Sequence, residues 1–220
     1  MPGPITKITA RNLRLFLSAI VFMAGCEHHP FSPPDPVAAF MDKPVIIGQG
    51  VGEIEVRKTT LGEAISLLGN KFKREEAEGS FGGKCVDGVC DNNFQKFTDI
   101  NLDYSDYGLM LGFRSIEDEG TPENDLKVRF VYLSCVKKSS GCAFTGKLDN
   151  GIHLGSTREE VVKVMGRGDT WTGRQGIISK RSGINLRFKS EYLKISDDDA
   201  VESLEIFSPL DYDEFQHHSI

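Results

Sequence analysis

One phrase is written twice in this chain, and it limits the possible folds more than any other feature. The second copy, Gly151–Gly166, reads GIHLGSTREEVVKVMG; the first, Ile54–Gly69, reads IEVRKTTLGEAISLLG. At a single constant offset Thr60 matches Thr157, Glu63 matches Glu160, Leu67 matches Val164, Leu68 matches Met165 and Gly69 matches Gly166. Each copy specifies a short helix. Threonine is an N-cap residue, and a glutamate three positions later completes a capping box that satisfies two orphan N–H groups reciprocally. Leu61, Ala64, Ile65 and Leu68 recur at helical spacing as one apolar stripe, and Val161, Val164 and Met165 fall on one face in the second copy. A closing glycine supplies the left-handed position at which helices stop.

The strands that follow also repeat. Tyr107–Phe113 (YGLMLGF) matches Ser182–Phe188 (SGINLRF), and both place apolar side chains at alternate positions, the period of a half-buried strand. A further strand is expected in each half, over Leu126–Leu133 and Val201–Phe207. The expected fold class is therefore α+β, as two tandem units. Each would be a capped helix packed on a small antiparallel sheet of about three strands, roughly the least that buries a core. The expected boundaries are 45–134 for the first unit, 135–150 for a connecting hairpin, 151–210 for the second unit and 211–220 for an acidic tail.

The glycine-rich turn (Gly48-Gln49-Gly50-Val51-Gly52) and a terminal Leu68-Gly69 stand in the first half, an Ile-x-Leu-Gly step (Ile152 to Gly155) stands in the second, and a Thr-capped helix stands in both. This pattern resembles a loose group of bacterial exported proteins. It includes the small lipoprotein of the outer-membrane β-barrel assembly machinery and, with the unit in tandem, β-lactamase inhibitory protein. The resemblance spans roughly residues 45–210 and implies a scaffold only; no partner-contacting residue is carried over. Arg57-Lys58 stands where the second copy has Leu154-Gly155, so the two helices are approached differently.

Residues 1–25 have the layout of a lipoprotein signal peptide. Lys7, Arg11 and Arg14 form a basic region ahead of the apolar run Leu15–Ala24. As a helix that run spans about 15 Å, half of a ~30 Å bilayer core, so it is not expected to span the membrane. It ends Met23-Ala24-Gly25-Cys26, which resembles a bacterial lipobox with Met at the first position. The resemblance implies acylation, as by palmitate, at Cys26, the new N-terminus. Glu27 is not the aspartate that retains lipoproteins at the inner membrane of enteric bacteria, so the expected location is the outer membrane, on its periplasmic or outward side. Residues 26–44 hold Pro30, Pro33, Pro34, Pro36 and Pro44 and are expected as an extended tether. His28 and His29 lie within it and are expected to be solvated.

The four other cysteines are Cys85, Cys90, Cys135 and Cys142, an even number in an exported chain, which points to disulfides. The local closures Cys85–Cys90 and Cys135–Cys142 are favoured, because each pair brackets a glycine-containing turn. Between Gly69 and Tyr107 the first half carries a much longer connection than the second does between Gly166 and Ser182. Within it Lys71, Lys73 and Arg74, followed by Glu75 and Glu76, read as a solvated helix extension. Phe81, Phe94 and Phe97 are candidate partner-binding aromatics on a cysteine-clipped loop.

With 26 basic against 32 acidic residues the net charge is -6, and removing the leader deletes only basic residues. An acidic chain is not expected to bind nucleic acid, whose phosphates are met by clustered Lys and Arg, nor to adhere electrostatically to anionic lipid. No phosphate loop, nucleophile elbow, calcium loop or zinc spacing is present. His153 is expected to face solvent without a partner nucleophile, the Asp197–Asp199 run to form an acidic turn, and Trp171 to anchor packing. No catalytic residue, metal or cofactor is expected. The expected function is that of a membrane-anchored envelope lipoprotein, a non-catalytic protein-binding or accessory module. Its partners would be the lipid bilayer, through Cys26, and an envelope protein. The alternative is a proteinaceous inhibitor of an exported enzyme.

Overall fold

A computed structural model of the protein describes residues 35–82, 85–86, 89–90, 94–138, 141–166, 170–172, 176–179, 181–189 and 196–209. The chain divides into two compact units, Met1–Pro34 and Asp35–Ile220, and every described residue belongs to the second. The expected signal peptide, Cys26, His28, His29 and the expected acidic tail lie outside the described residues.

Asp35 caps the first described helix, α1 (Pro36–Phe40): its Oδ1 accepts from the Val37 N–H at 3.0 Å, and proline occupies the first turn, where its missing N–H costs nothing. Val37, Phe40 and Met41 are buried. The expected tether over 26–44 is therefore corrected from residue 35 onward. Three apolar side chains between the prolines gain more by joining the core than the segment loses in freedom. A small sheet of β1 (Val45–Ile46), β2 (Gly50–Val51) and β3 (Ile54–Glu55) leads into α2 (Leu61–Leu68). Both halves of its capping box are made, Glu63 N–H to Thr60 Oγ1 at 3.2 Å and Thr60 N–H to Glu63 Oε2 at 2.8 Å. The second repeated helix, α3 (Arg158–Met165), is capped in the same way by Thr157 and Glu160.

After α2 come β4 (Lys73–Gly82), the two-residue pair β5 (Cys85–Val86) and β6 (Val89–Cys90), then β7 (Phe94–Tyr104), β8 (Leu109–Ile116) and β9 (Phe130–Ser134). The hairpin of β10 (Lys137–Lys138) and β11 (Gly141–Cys142) leads towards α3. Then follow β12 (Thr170–Thr172), β13 (Gly176–Ser179), β14 (Ile184–Phe188) and β15 (Val201–Phe207). Eight of these strands form one antiparallel sheet in the order β12-β13-β14-β15-β9-β8-β7-β4.

That sheet overturns the expected fold class. The protein is mostly β, and there are not two helix-capped units on separate small sheets. Each half contributes four strands rather than about three, and the halves merge where β15 pairs with β9, from Ser203 opposite Ser134 to Phe207 opposite Phe130. In two separate sheets β9 and β15 would each be an edge with a row of unsatisfied N–H and C=O groups; pairing them satisfies both. The unforeseen strand β4 is the segment expected as a helix extension. It is a sheet edge whose charged side chains on both faces are solvated, so it shows no apolar alternation. Arg74 holds it to the 3-10 turn Glu123–Asp125 by a bidentate pair with Glu123, at 2.6 and 3.1 Å.

The repeated strand phrase does recur in the sheet. Gly108 and Gly183 precede β8 and β14 with φ of 69° and 76°. At each, the glycine carbonyl accepts the N–H of the next strand, Ser134 at 2.7 Å and Phe207 at 3.0 Å. A Cβ would lie 2.3 Å from the Ser134 carbonyl in one case and 2.2 Å from that of Phe207 in the other, which only glycine avoids.

Two rows of buried side chains cross the sheet without a break at the β9–β15 junction. One runs Leu102, Leu111, Val131, Ile206, Ile184; the other runs Tyr104, Leu109, Leu133, Leu204, Leu186, Ile177. The helices cover this face. The Tyr104 hydroxyl donates to the Gly69 carbonyl behind α2 at 2.9 Å, and burial pushes its pKa up to about 12. At α3 the Arg158 guanidinium lies 4.2 Å over the Phe188 ring. Residues from both halves thus form one core.

The expected closure Cys135–Cys142 is formed, with a Cα–Cα distance of 4.8 Å. It crosslinks residues only seven apart, so its loop-entropy contribution is about 2 kcal/mol. Replacing both cysteines by alanine is expected to lower stability by about that amount and to leave far-UV circular dichroism unchanged, as measured by urea unfolding.

Candidate functional site

Side chains on the sheet's second face alternate with the buried rows, and no described helix covers them. On β7 and β8, Asp99 stands opposite Arg114. The guanidinium grips the carboxylate through Nε at 2.7 Å and Nη2 at 3.0 Å, and Arg129 approaches the same carboxylate at 3.6 Å. Arg114 also lies 3.7 Å over the Phe97 ring. The side chain of Arg114 is only 5% exposed, so this charge is held by pairing and stacking rather than by water. Beyond it, Met110 on β8 opposes Tyr132 on β9, and Tyr132 opposes Glu205 on β15. Glu205 opposes Asn185, which opposes Ile178. Met110, Phe130, Tyr132 and Ile178 are half-buried. The Phe130 ring lies flat on Gly112, where a Cβ would fall 2.0 Å from its Cε1.

Glu205 accepts from the Asn185 side-chain amide at 3.2 Å, and burial raises its pKa above the ordinary 4.5 despite that bond and the nearby Arg187. In the unfolded chain the carboxyl loses its proton near 4.5, whereas the folded protein holds it to higher pH. Stability is therefore lost as pH rises through that window, and the loss persists above it. Glu205→Gln is expected to be more stable than the native protein at neutral pH. The advantage should vanish below pH 4.5, as read from urea midpoints across the range.

The expected site residues are scattered. Phe94 is 59% exposed at the start of β7, whereas Phe97 is 3% exposed, covering Gly79 and covered by Arg114. Phe97 is thus a packing residue. The backbones of Cys85 and Cys90 pair in register, but their side chains, and that of Phe81, lie outside the described residues, as does the side chain of Trp171. His153 is half-buried rather than solvent-facing: its Nδ1 lies 2.7 Å from the Leu154 carbonyl oxygen, and its backbone N–H donates to Ser156 Oγ. Among the described residues no group of three His, Cys, Asp or Glu is placed to hold a metal, and no described helix is long and apolar enough to cross a membrane.

Among the described residues, two of the cavities that open on the surface carry polar or charged rims. One, of about 600 Å³, lies at the β4–β7–β8 end among Glu78, Ser80, Lys96, Thr98, Ser115 and Glu117. The other, of about 420 Å³, lies beside the disulfide hairpin and is rimmed by Lys137, Lys138 and Lys189. Sequence reading found neither the Asp99–Arg114 pair nor the lysine rim, because both are made by cross-strand register and by residues distant along the chain. No family model, curated protein or solved structure matches the chain.

Proposed function

We propose that the chain is a lipid-anchored envelope protein whose folded unit binds another envelope protein without catalysing a reaction. The supporting observation is the sheet face not covered by a described helix. It combines Met110, Phe130, Tyr132 and Ile178 with a paired arginine network, and tyrosine, methionine and arginine are the side chains enriched in protein interfaces. The lipobox pattern ending at Cys26 supports the anchor, with several acyl chains needed because one gives only marginal membrane affinity.

The test is in-cell photo-crosslinking from position 132, beside the same probe at the exposed position 127 and beside a Cys26→Ser version. One envelope protein crosslinked from position 132 and not from 127, and only with Cys26 intact, is the expected result. Equal crosslinking from both positions, or none, would refute the assigned face. A soluble enzyme captured equally with and without Cys26 would favour the inhibitor instead.

A further inference from the structure

The chain is acidic overall, yet one pole collects lysines. Lys137 and Lys138 are exposed on the disulfide hairpin, and Lys189 stands exposed just beyond β14. The three rim the 420 Å³ cleft, whose floor is the Cys135–Cys142 disulfide and the buried Val201; Glu202 is the one carboxylate among the cleft's residues. Among the described residues none of the three lysines forms an ion pair, and Lys138 reaches only the face of Tyr107, 5.9 Å from the ring centroid. That same Tyr107 donates its hydroxyl to Asp35 at 2.6 Å. Asp35 begins the folded unit, and Lys71 is near enough to act on its charge.

The lysine-rimmed cleft therefore lies at the pole where the chain enters the domain. Because α1 is docked into the core, only residues 27–34 remain to separate Cys26 from Asp35. Even fully extended, the nine Cα–Cα steps from Cys26 to Asp35 reach at most about 32 Å. Given the acylated Cys26 of the proposed function, on which this inference rests, the pole is held permanently within that distance of the bilayer, at high effective concentration.

We propose that the Lys137–Lys138–Lys189 cleft is a docking surface for the phosphate headgroups of an anionic bilayer, which orients the domain with its disulfide hairpin against the membrane. Lysine suits this role: its flexible stem crosses the apolar floor while the ammonium reaches the headgroup layer. The attraction acts within a Debye length of about 10 Å, so the acidic surfaces farther away are screened from the bilayer while the basic pole is engaged. Local charge at the contact, rather than net charge, decides the adhesion. This proposal departs from the expectation drawn from net charge.

The test uses the chain beginning at Glu27, without an acyl group. Every described core residue and hydrogen bond lies at or beyond Asp35, so this chain keeps them all. Flotation is measured with phosphatidylcholine vesicles, with and without phosphatidylglycerol, at low salt. Binding only to the phosphatidylglycerol vesicles, abolished by about 0.5 M salt, is expected. The combined variant Lys137→Gln, Lys138→Gln, Lys189→Gln should bind on the order of a hundredfold more weakly, from about fivefold per lysine. The charge-matched Lys96→Gln, Lys127→Gln, Lys163→Gln variant should bind as the native chain does. Equal losses in the two variants would reduce the effect to diffuse charge and overturn the proposal. So would absent vesicle binding, or capture of an acidic poly-glutamate peptide at this cleft in place of vesicles. Palmitate labelling of the full chain in cells tests the anchor separately. An unlabelled Cys26 would sink the anchored reading without altering the vesicle result.

Discussion

Leu204→Ala is expected to lower the stability of the whole folded unit by about 3 kcal/mol and to leave a single unfolding transition. Leu204 is 1% exposed on β15, directly opposite Leu133 of β9, at the one place among the described residues where strands of the two halves pair. Truncation removes a buried isobutyl group and opens a cavity between neighbours fixed by the ladder on both sides, so little relaxation can offset the loss. The continuous row from Tyr104 to Ile177 makes its effect global. The measurement is urea unfolding followed by far-UV circular dichroism and by fluorescence of Trp171, the chain's one tryptophan. Hydrogen exchange should accompany it, at the β7–β8 and β13–β14 amides. Both ladders should lose protection together. If β7–β8 keeps its full protection while β13–β14 loses its own, the halves are independent and the single-sheet account fails.

Arg158→Ala is expected to cost a similar amount, about 3 kcal/mol, for a different reason. Arg158 occupies the first turn of α3, where a cation opposes the helix dipole, and it is only 3% exposed. It is held there by Asp199, 3.6 Å from Nη2, and by the Phe188 face at 4.2 Å. Its backbone N–H also donates to the Asp199 carbonyl at 2.9 Å, which ties the start of α3 to the turn before β15. Alanine would take the arginine from the Asp199 carboxylate, whose side chain is 11% exposed and would keep the Ser196 N–H, and leave a void over the Phe188 ring. Lysine should rescue little, since a compact ammonium can neither lie flat on the ring nor match the guanidinium's geometry. Because the pair is buried, added salt should hardly change the loss. A fall below about 1 kcal/mol in urea unfolding, or one erased by salt, would place Arg158 among ordinary surface charges.

These two residues show where sequence reading stops. Nothing in the sequence marks Arg158 for burial, since an arginine beside two glutamates in a first turn gives no sign of it. Its surroundings come from Phe188 and Asp199, thirty and more positions away in the chain. Leu204 reads as core, but nothing in VESLEIF says which strand will lie beside it.

The sequence by itself determined what is local. Capping boxes at Thr60 and Thr157, helix stops at Gly69 and Gly166, and the Cys135–Cys142 closure all depend on residues a few positions apart, whose geometry is set by backbone sterics and short-range hydrogen bonds. Tertiary structure alone decided the partner of each edge. The charged segment Lys73–Gly82 became a strand because β7 offered it a ladder, and β9 joined β15 because two unpaired edges satisfied each other. The lysine rim and the Asp99–Arg114 grip were decided with them. Strand pairing is written in backbone groups common to every residue, so side-chain order alone does not say which edges will meet.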